Sequence, residues 1–294
     1  MLFLDEAAVR EHLEVEPLIQ AMRQAFIDFS TGRVEQPVRQ MLSQHGGFFG
    51  IMPASGEAMG IKMVTYYPNN AEQNLPVHMA LIALFKPETG EPLAVMDGTW
   101  ITEIRTAACS AVATEVLAAP DARVLAILGT GVQGRAHFEV LPYVRQFEEI
   151  RVWNRTRAHA ERFVEEHGGI VMSAEAAVRD ADVIVTGTSA QEAILEGAWL
   201  KPGAHVNAVG SPRPDWRELD DEAMANVVVV DSYAGARVEA GDVILSGAEI
   251  HAEIGEVLAG AKPARADETT IFKSLGMAIE DVASARLVYE RATA

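Results

Sequence analysis

The chain has 294 residues and carries 42 acidic against 24 Lys and Arg side chains, a formal net charge of −18 at pH 7. A charge of that sign argues against nucleic acid or an anionic membrane as a partner. Hydrophobic residues make up 49% of the chain, which is enough for a sizeable core, and the length allows two domains of about 100–200 residues each. The single cysteine, Cys109, excludes a disulfide framework and a cysteine-based metal cluster, and we expect no metal site.

The start of the chain and its apolar runs bear on where the protein acts. Residues 1–6 lack the basic start and the long apolar core of a signal peptide. No apolar run reaches the roughly 18 residues that a membrane-spanning helix needs. We therefore expect a cytoplasmic protein.

The first third of the chain predicts a helix and then a largely antiparallel sheet. Apolar residues recur at helical spacing over residues 5–30, and Thr31-Gly32 ends this helix. Short strands with Gly, Pro and Asn between them follow to about residue 95. Residues 85–93 predict a hairpin with Thr89-Gly90 at its turn. The pattern indicates an α+β domain.

Strand and helix patterns alternate after an alanine-rich helix predicted over residues 102–119 and ended by Pro120. A last helix is predicted over about residues 271–291. This alternation is typical of a doubly wound parallel sheet, so the predicted fold class is α/β with a Rossmann domain beside the α+β domain. The strands are predicted at residues 124–128, 150–153, 183–186, 205–209 and 227–231.

The segment Gly129-Thr130-Gly131-Val132-Gln133-Gly134 fits the G-x-G-x-x-G pattern of a dinucleotide site. It follows an apolar strand and precedes a helix, which is the context that such a site requires. Gly129 permits the tight turn, and Gly131 lets the backbone approach a pyrophosphate, which the positive end of the helix would attract. We therefore expect cofactor contacts from Gly129, Gly131, Val132 and Gln133.

The end of the second strand of this unit indicates the choice of cofactor. NAD enzymes place Asp or Glu there to bind the ribose hydroxyls, whereas this chain has Asn154-Arg155-Thr156. Arg155 can pair with a 2′-phosphate, and Asn154 and Thr156 can donate hydrogen bonds. Arg157 and His159 can add to the pocket. The prediction is NADP(H); the alternative is that Arg155 merely caps the strand at the surface.

Three cations of the first domain have unusual surroundings. Lys62 lies within an apolar strand, where it either faces solvent or points into a cleft. Arg105 is predicted near the N-terminus of a helix, which the helix dipole disfavours unless an anion lies nearby. With Arg39, these residues could hold a substrate carboxylate and cofactor phosphates.

The residues also resemble the ornithine cyclodeaminase/mu-crystallin family over nearly the whole chain. The matching stretches are residues 36–39, 94–98, 105–108, 152–156, 206–210, 213–222, 241–250 and 272–277. The resemblance implies that the C-terminal helix returns to the first domain. Residues 1–118 plus 275–294 would then form a substrate-binding and dimerisation domain, whose sheet is the interface of a homodimer. Residues 119–274 would form the NADP-binding Rossmann domain.

The resemblance also assigns roles to single residues. It implies that Arg39 and Lys62 hold the substrate carboxylate, that Arg105 contacts substrate or cofactor, and that these three are the catalytic residues. His78 would lie near the nicotinamide, and Glu239 would lie at the substrate mouth. Further cofactor contacts are implied for Thr106, Thr188, Val209, Ser211 and Ser274.

One departure from the family pattern bears on the reaction. Family cyclodeaminases carry an acid two residues after the glycine that corresponds to Gly210, and this chain has Pro212 there, which cannot transfer a proton. Asp215 falls outside the catalytic slot of the family. Ornithine cyclodeamination is therefore disfavoured.

The expected reaction is the NADPH-dependent reduction of a small cyclic ketimine carboxylate, Δ1-piperideine-2-carboxylate or Δ1-pyrroline-2-carboxylate. A lowered pKa, caused by two neighbouring arginines, would suit Lys62 as proton source. The alternatives are reductive amination of a 2-oxo acid, of the alanine dehydrogenase or opine type, and a non-catalytic, NADPH-dependent protein that binds a small ligand.

Overall fold

A computed structural model describes the backbone of residues 1–294 and every side chain except that of residue 71. The chain forms two compact units, Met1–Arg105 with Gly276–Ala294, and Thr106–Leu275. The boundary between the units at Arg105 and Thr106 lies inside helix α3 (Thr99–Leu117). The boundary expected from the sequence lies after residue 118, just beyond the end of that helix. The functional domains proposed from the sequence, with boundaries at 118/119 and 274/275, stay a prediction.

The first unit contains a six-stranded sheet in the order β1-β6-β5-β4-β3-β2. Every neighbouring pair is antiparallel except β1 and β6, which are parallel. The predicted hairpin connects β5 and β6, with Gly90 at φ +72° in its turn. The strands are β1 (Leu2–Leu4), β2 (Gln40–Gln44), β3 (Gly47–Ser55), β4 (Met59–Tyr66), β5 (His78–Phe85) and β6 (Pro92–Asp97). The helices are α1 (Glu6–His12), α2 (Val15–Ser30), a 3-10 helix (Pro68–Gln73) and the C-terminal α11 (Ala278–Ala292).

The two faces of this sheet differ in what covers them. Helix α11 packs against α2 and against β3, β4 and β5. The side chains of Met52, Lys62 and Ile82 lie side by side on the covered face and are buried. The alternate residues form the other face, which is apolar and partly exposed; Leu81, for example, is 49% exposed.

The single helix predicted over residues 5–30 is wrong, because the chain breaks into α1 and α2 at Leu13 and Glu14, both of which are extended. In a continuous helix the ring of Pro17 would clash with the carbonyl of Leu13. The break instead places Pro17 in the first turn of α2, where proline is tolerated. Thr31 ends α2, and Gly32 follows at φ +75°, as predicted.

The second unit contains eight parallel strands in the order β13-β12-β14-β11-β10-β7-β8-β9. Together with the antiparallel sheet of the first unit, this confirms the predicted α/β class with a Rossmann-type sheet. No helix among the described residues is long and apolar enough to cross a membrane. The strands are β7 (Val124–Leu128), β8 (Glu149–Trp153), β9 (Ile170–Val171), β10 (Val183–Thr186), β11 (His205–Ala208), β12 (Val227–Val230), β13 (Ile250–Glu253) and β14 (Thr270–Lys273). The helices are α4 (Val132–Val140), α5 (Arg157–His167), α6 (Ala174–Val178), α7 (Asp221–Met224), α8 (Tyr233–Glu239), α9 (Gly241–Ser246) and α10 (Ile254–Leu258), with 3-10 helices at Leu141–Tyr143 and Gly197–Trp199.

The last helix was predicted too long. Residues Thr270–Lys273 form β14, a fully buried strand between β11 and β12. Its run of Thr, Ile and Phe suits a strand that is covered on both faces. Gly276, at φ +81°, turns the chain before α11 begins at Ala278.

Candidate active site

Lys62 is a buried cation on the helix-covered face of β4, only 2% exposed. Its Nζ lies 2.6 Å from Asp281 Oδ2 on α11. Burial lowers the pKa of Lys62 to about 8, with smaller contributions from Arg105 and Arg39, while Asp281 opposes the shift. The predicted direction is therefore right, but burial and not the arginines is the largest cause.

Arg105 is held by two carboxylates of α11. Its Nη1 lies 2.7 Å from Glu280 Oε2, and its Nε lies 3.0 Å from Asp281 Oδ1. Helix α3 begins at Thr99, so Arg105 lies well inside the helix and not in its first turn. The idea that an unfavourable helix dipole calls for an anion is therefore wrong for Arg105, and the anions beside it are protein side chains.

Arg39 and His78 lie near the same group of charges. Arg39 Nη2 donates a hydrogen bond of 3.2 Å to the carbonyl of Gly276. A Cβ atom on Gly276 would lie 2.6 Å from Arg105 Nη2, so a larger residue there would displace the guanidinium from its place. Burial, followed by the charges of Lys62 and Arg105, lowers the pKa of His78 to about 4. His78 is therefore a neutral hydrogen-bonding group at pH 7.

The cation cluster comprises Lys62, Arg105, Arg39, Glu280 and Asp281, with three cations and two carboxylates. Charges with little access to water must be paired to be stable. Arg39, which is only partly buried, is the most accessible of the three cations to the carboxylate of a small molecule.

The glycine loop of the second unit has the geometry of an anion site. Gly129 has φ +110°, and a Cβ on Gly134 would lie 2.1 Å from the carbonyl oxygen of Gly129, so α4 packs tightly on the loop. A Cβ on Gly131 would instead meet no atom within 4 Å. Gly131 precedes α4 without a side-chain cap, which leaves the first N–H groups of the helix available to a phosphate.

Asn154 joins the glycine loop to the turn after β8. Its Nδ2 donates to Thr130 Oγ1 at 2.8 Å, and its Oδ1 accepts from the backbone N of Thr156 at 2.9 Å. Asn154 thus stabilises this turn, and its second Nδ2–H can donate to a ligand. Arg155, Thr156 and His159 are exposed.

The two arginines of this turn differ in their contacts. Arg157 pairs with Glu161 at 2.8 Å, which competes with the predicted contribution to a phosphate pocket. No hydrogen bond or ion pair joins the side chain of Arg155 to another described residue. Arg155 is therefore the cation of this turn that an anionic ligand can engage without breaking an ion pair.

Three further residues predicted to bind cofactor in the second unit donate hydrogen bonds through their side chains, two of them to buried carboxylates. Thr188 donates both its backbone N and its hydroxyl to Glu218 Oε1, at 2.7 and 2.6 Å. Ser211 has φ +49° and donates its hydroxyl to the carbonyl of Ala190 at 2.5 Å. Ser274 donates to Asp231 Oδ2 at 3.3 Å.

Three further predicted residues also belong to the second unit. Val209 follows β11, and its backbone N donates to the carbonyl of Thr186. Thr106 is buried in α3, and Glu239 is half-buried at the end of α8. Within the first unit, the structure brings Lys62, Arg105 and Arg39 together.

Sequence reasoning missed the carboxylates that hold these groups, namely Glu218, Asp242, Glu280 and Asp281, together with Lys273. The available signal was an acid within an apolar segment. Glu280-Asp281 stands between Ile279 and Val282, and all four residues are buried.

A parallel sheet whose first strand leads into a glycine loop and a helix defines a dinucleotide-binding α/β protein. The sequence profile of the ornithine cyclodeaminase/mu-crystallin family matches residues 1–294, so the chain belongs to that family.

Several relatives of known name match the whole chain. The ketimine reductase mu-crystallin of Mus musculus is 50% identical over 301 residues, which cover 98% of this chain and 96% of the relative. The structure of Thermococcus litoralis Δ(1)-pyrroline-2-carboxylate reductase, in complex with NADH and L-proline, has a TM-score of 0.95 at 37% identity and covers 100% and 98% of the two chains. An archaeal alanine dehydrogenase dimer with bound NAD has a TM-score of 0.95 at 35% identity, covering 100% and 96%. The chain is an oxidoreductase of this family.

Proposed function

We propose that the protein reduces the C=N bond of a small cyclic ketimine carboxylate, Δ1-piperideine-2-carboxylate or Δ1-pyrroline-2-carboxylate, to the cyclic L-amino acid with NADPH. The observation that carries this proposal is the cation cluster, which brings Lys62, Arg105 and Arg39 together. The carboxylate of the substrate would bind to these cations. Similarity to a ketimine reductase and to a pyrroline-2-carboxylate reductase supports the cyclic imine as the group reduced.

Lys62 and Arg39 would bind the carboxylate and thereby orient the ring. The nicotinamide, when bound, supplies the hydride. Orientation of this kind removes much of the entropic barrier to a reaction between two molecules. Asp281 bridges Lys62 and Arg105, so neither cation can turn away without losing an ion pair. His78, uncharged at neutral pH, would contribute hydrogen bonds without adding a further charge.

The proton for the imine nitrogen has two possible origins. A ketimine that binds in its protonated form needs no acid from the protein. A neutral ketimine would take its proton from Lys62, with water assisting. A pKa of about 8 leaves the lysine protonated at neutral pH and makes it a better acid than an ordinary lysine.

NADP(H) is the proposed cofactor because the turn after β8 offers Arg155 and no carboxylate. The open space at Gly131 and the uncapped start of α4 fit a pyrophosphate. The two solved relatives hold NADH and NAD, so the preference for the 2′-phosphate rests on residues Asn154–Thr156 of this chain.

We also propose a homodimer that forms through the exposed face of the antiparallel sheet. Met63 and Leu81 are cross-strand neighbours on this face, and Phe3 at its edge is 73% exposed. Large exposed apolar surfaces commonly mark interfaces. The related alanine dehydrogenase is a dimer.

Reductive amination of a 2-oxo acid is the second candidate, because the alanine dehydrogenase matches this fold as well as the pyrroline-2-carboxylate reductase does. A cluster that binds one carboxylate would serve pyruvate equally. Ring closure of ornithine is not favoured, because Pro212 cannot carry a proton.

A substrate panel separates the candidates. NADPH oxidation would be followed with each of the two cyclic imines, and with pyruvate plus ammonia or plus an amino-acid donor. We expect kcat/KM to be highest with a cyclic imine. Oxidation with pyruvate and an amine alone would assign the second candidate, and tight NADPH binding without turnover on any of these would assign a binding protein.

A further inference from the structure

Both backbone polar groups of Gly210, just after β11, are bound by buried side chains. Its N–H donates to Glu218 Oε2 at 2.9 Å, and its carbonyl accepts from Lys273 Nζ at 2.6 Å. A Cβ on this residue would lie 2.3 Å from the carbonyl oxygen of Thr188 and 2.5 Å from Glu218 Oε1. The two peptide groups that flank the Gly210 Cα are therefore both held in place.

Glu218 extends this fixation to the neighbouring strand. Besides the bond from Gly210, it accepts the hydroxyl of Thr186 at 2.8 Å and both donors of Thr188. The carboxylate is fully buried. One side chain thus ties the end of β10 to the end of β11.

Lys273 and Asp242 complete the network. Lys273 Nζ lies 2.7 Å from Asp242 Oδ2, and both side chains are 0% exposed. Asp242 Oδ1 accepts the backbone N of Glu218 at 2.7 Å and that of Leu219 at 2.9 Å. We call Glu218, Asp242 and Lys273 the Gly210 clamp.

The clamp is a costly way to stabilise a fold. Burying an ion pair costs much of what the pairing returns, and apolar side chains of the same volume are often as stable. The contacts of the clamp converge instead on Thr186, Thr188 and Gly210. Gly210 directly precedes Ser211, a non-glycine residue with φ +49°. A segment in that conformation persists only where its surroundings impose it.

We infer that Glu218, Asp242 and Lys273 are positioning residues that set Thr188 and Ser211 against the nicotinamide half of the cofactor. This inference rests on the proposed function and its cofactor, for which the family resemblance implies contacts from Thr188 and Ser211. Strands β10 and β11 lie on the opposite side of β7 from β8, and each half of such a sheet binds one nucleotide of the cofactor. Because the adenosine half is assigned to Asn154–Thr156 after β8, the clamp acts on the nicotinamide half. Loss of the clamp should therefore weaken the binding of NADPH but not the binding of a ligand that lacks nicotinamide.

The test compares NADPH with 2′,5′-ADP, which carries the 2′-phosphate but no nicotinamide. Glu218→Gln keeps the shape of the side chain but replaces an acceptor oxygen with a donor. We expect the Kd of NADPH to rise at least about tenfold, as for a lost charge-assisted hydrogen bond, with the Kd of 2′,5′-ADP unchanged. The matched control is Asp220→Asn, an acid-to-amide change at the cap of α7, two residues away, which should alter neither Kd.

The milder variant Thr186→Val removes one donor to the same carboxylate and should raise the NADPH Kd by a smaller factor. It replaces Glu218→Gln if that variant fails to fold by circular dichroism. An equal change in both Kd values, or no change in either, overturns the positioning role. If the wild type binds NADH better, then NADH and ADP replace the two ligands. If the wild type binds cofactor but reduces no imine, the proposed function fails, and the ratio of the two Kd values still tests the clamp.

Discussion

The charge of Lys62 depends on neighbours of both signs. Burial and the two arginines favour the neutral amine, whereas Asp281 favours the ammonium, and the balance is a pKa of about 8. Below that pH Lys62 is a cation that can bind a carboxylate and donate a proton. Above it the amine is neutral and can do neither.

The pH profile of kcat/KM reports on this group in the free enzyme. With a cyclic imine as substrate, we expect kcat/KM to fall above about pH 8. In Asp281→Asn the decline should begin at lower pH, because the carboxylate that supports the ammonium is gone. In Lys62→Arg the side chain stays charged, so the decline of kcat/KM in this pH range should be absent. The activity of this variant should be reduced on the order of 10²-fold. If kcat/KM of Lys62→Arg still fell in this pH range, the group that titrates would be the imine or another residue.

Arg155 is the residue on which the cofactor preference depends. Arg155→Asp removes the cation and adds a carboxylate, which repels a 2′-phosphate and can accept hydrogen bonds from a ribose. We expect kcat/KM for NADPH to fall about 10²-fold and preference to move to NADH. Arg162→Asp, an equal change of charge further along α5 on an exposed residue, is the control and should keep the preference. An Arg155→Asp enzyme that still preferred NADPH would rule out the phosphate pocket.

Elements that are marked by a local sequence pattern could be predicted, whereas contacts between residues far apart in the chain could not. The apolar runs of β7, β10 and β12 are strands that both faces of the sheet bury, so composition alone marked them. The glycine loop was predicted because its backbone conformation restricts the residue types. Strand β14 is not predicted, because a four-residue strand with two apolar residues, Ile271 and Phe272, is too short to show a periodicity.

The C-terminal helix shows the same limit for the candidate site. The resemblance to the family implied that α11 returns to the first domain, but not that Glu280 and Asp281 pair with Lys62 and Arg105. Those partners lie 175 or more residues apart in sequence. Spacing along the chain cannot reveal such a pairing, whereas an acid with no exposed surface requires a buried cation once the fold is known.

For the whole molecule, the net charge and the apolar sheet face act in opposite directions. Two copies with a formal charge of −18 each repel one another. The exposed face of the sheet carries apolar residues in adjacent strands, such as Ile51, Met63 and Leu81, so the density of negative charge is lower there. Association through this face is therefore expected to depend on apolar burial and to tighten with added salt, which screens the repulsion.

Leu81→Asp tests the interface, because it places a charge at the centre of the face on a residue that is 49% exposed and so tolerates the change as a monomer. We expect sedimentation velocity to show a dimer for the wild type and a monomer for the variant, since an unpaired charge buried at an interface costs several kcal/mol. Val238→Asp makes the same kind of change on a residue of the second unit that is 54% exposed, and it should remain a dimer. A dimeric Leu81→Asp protein would place the interface elsewhere, and a monomeric wild type would remove the homodimer from the proposal.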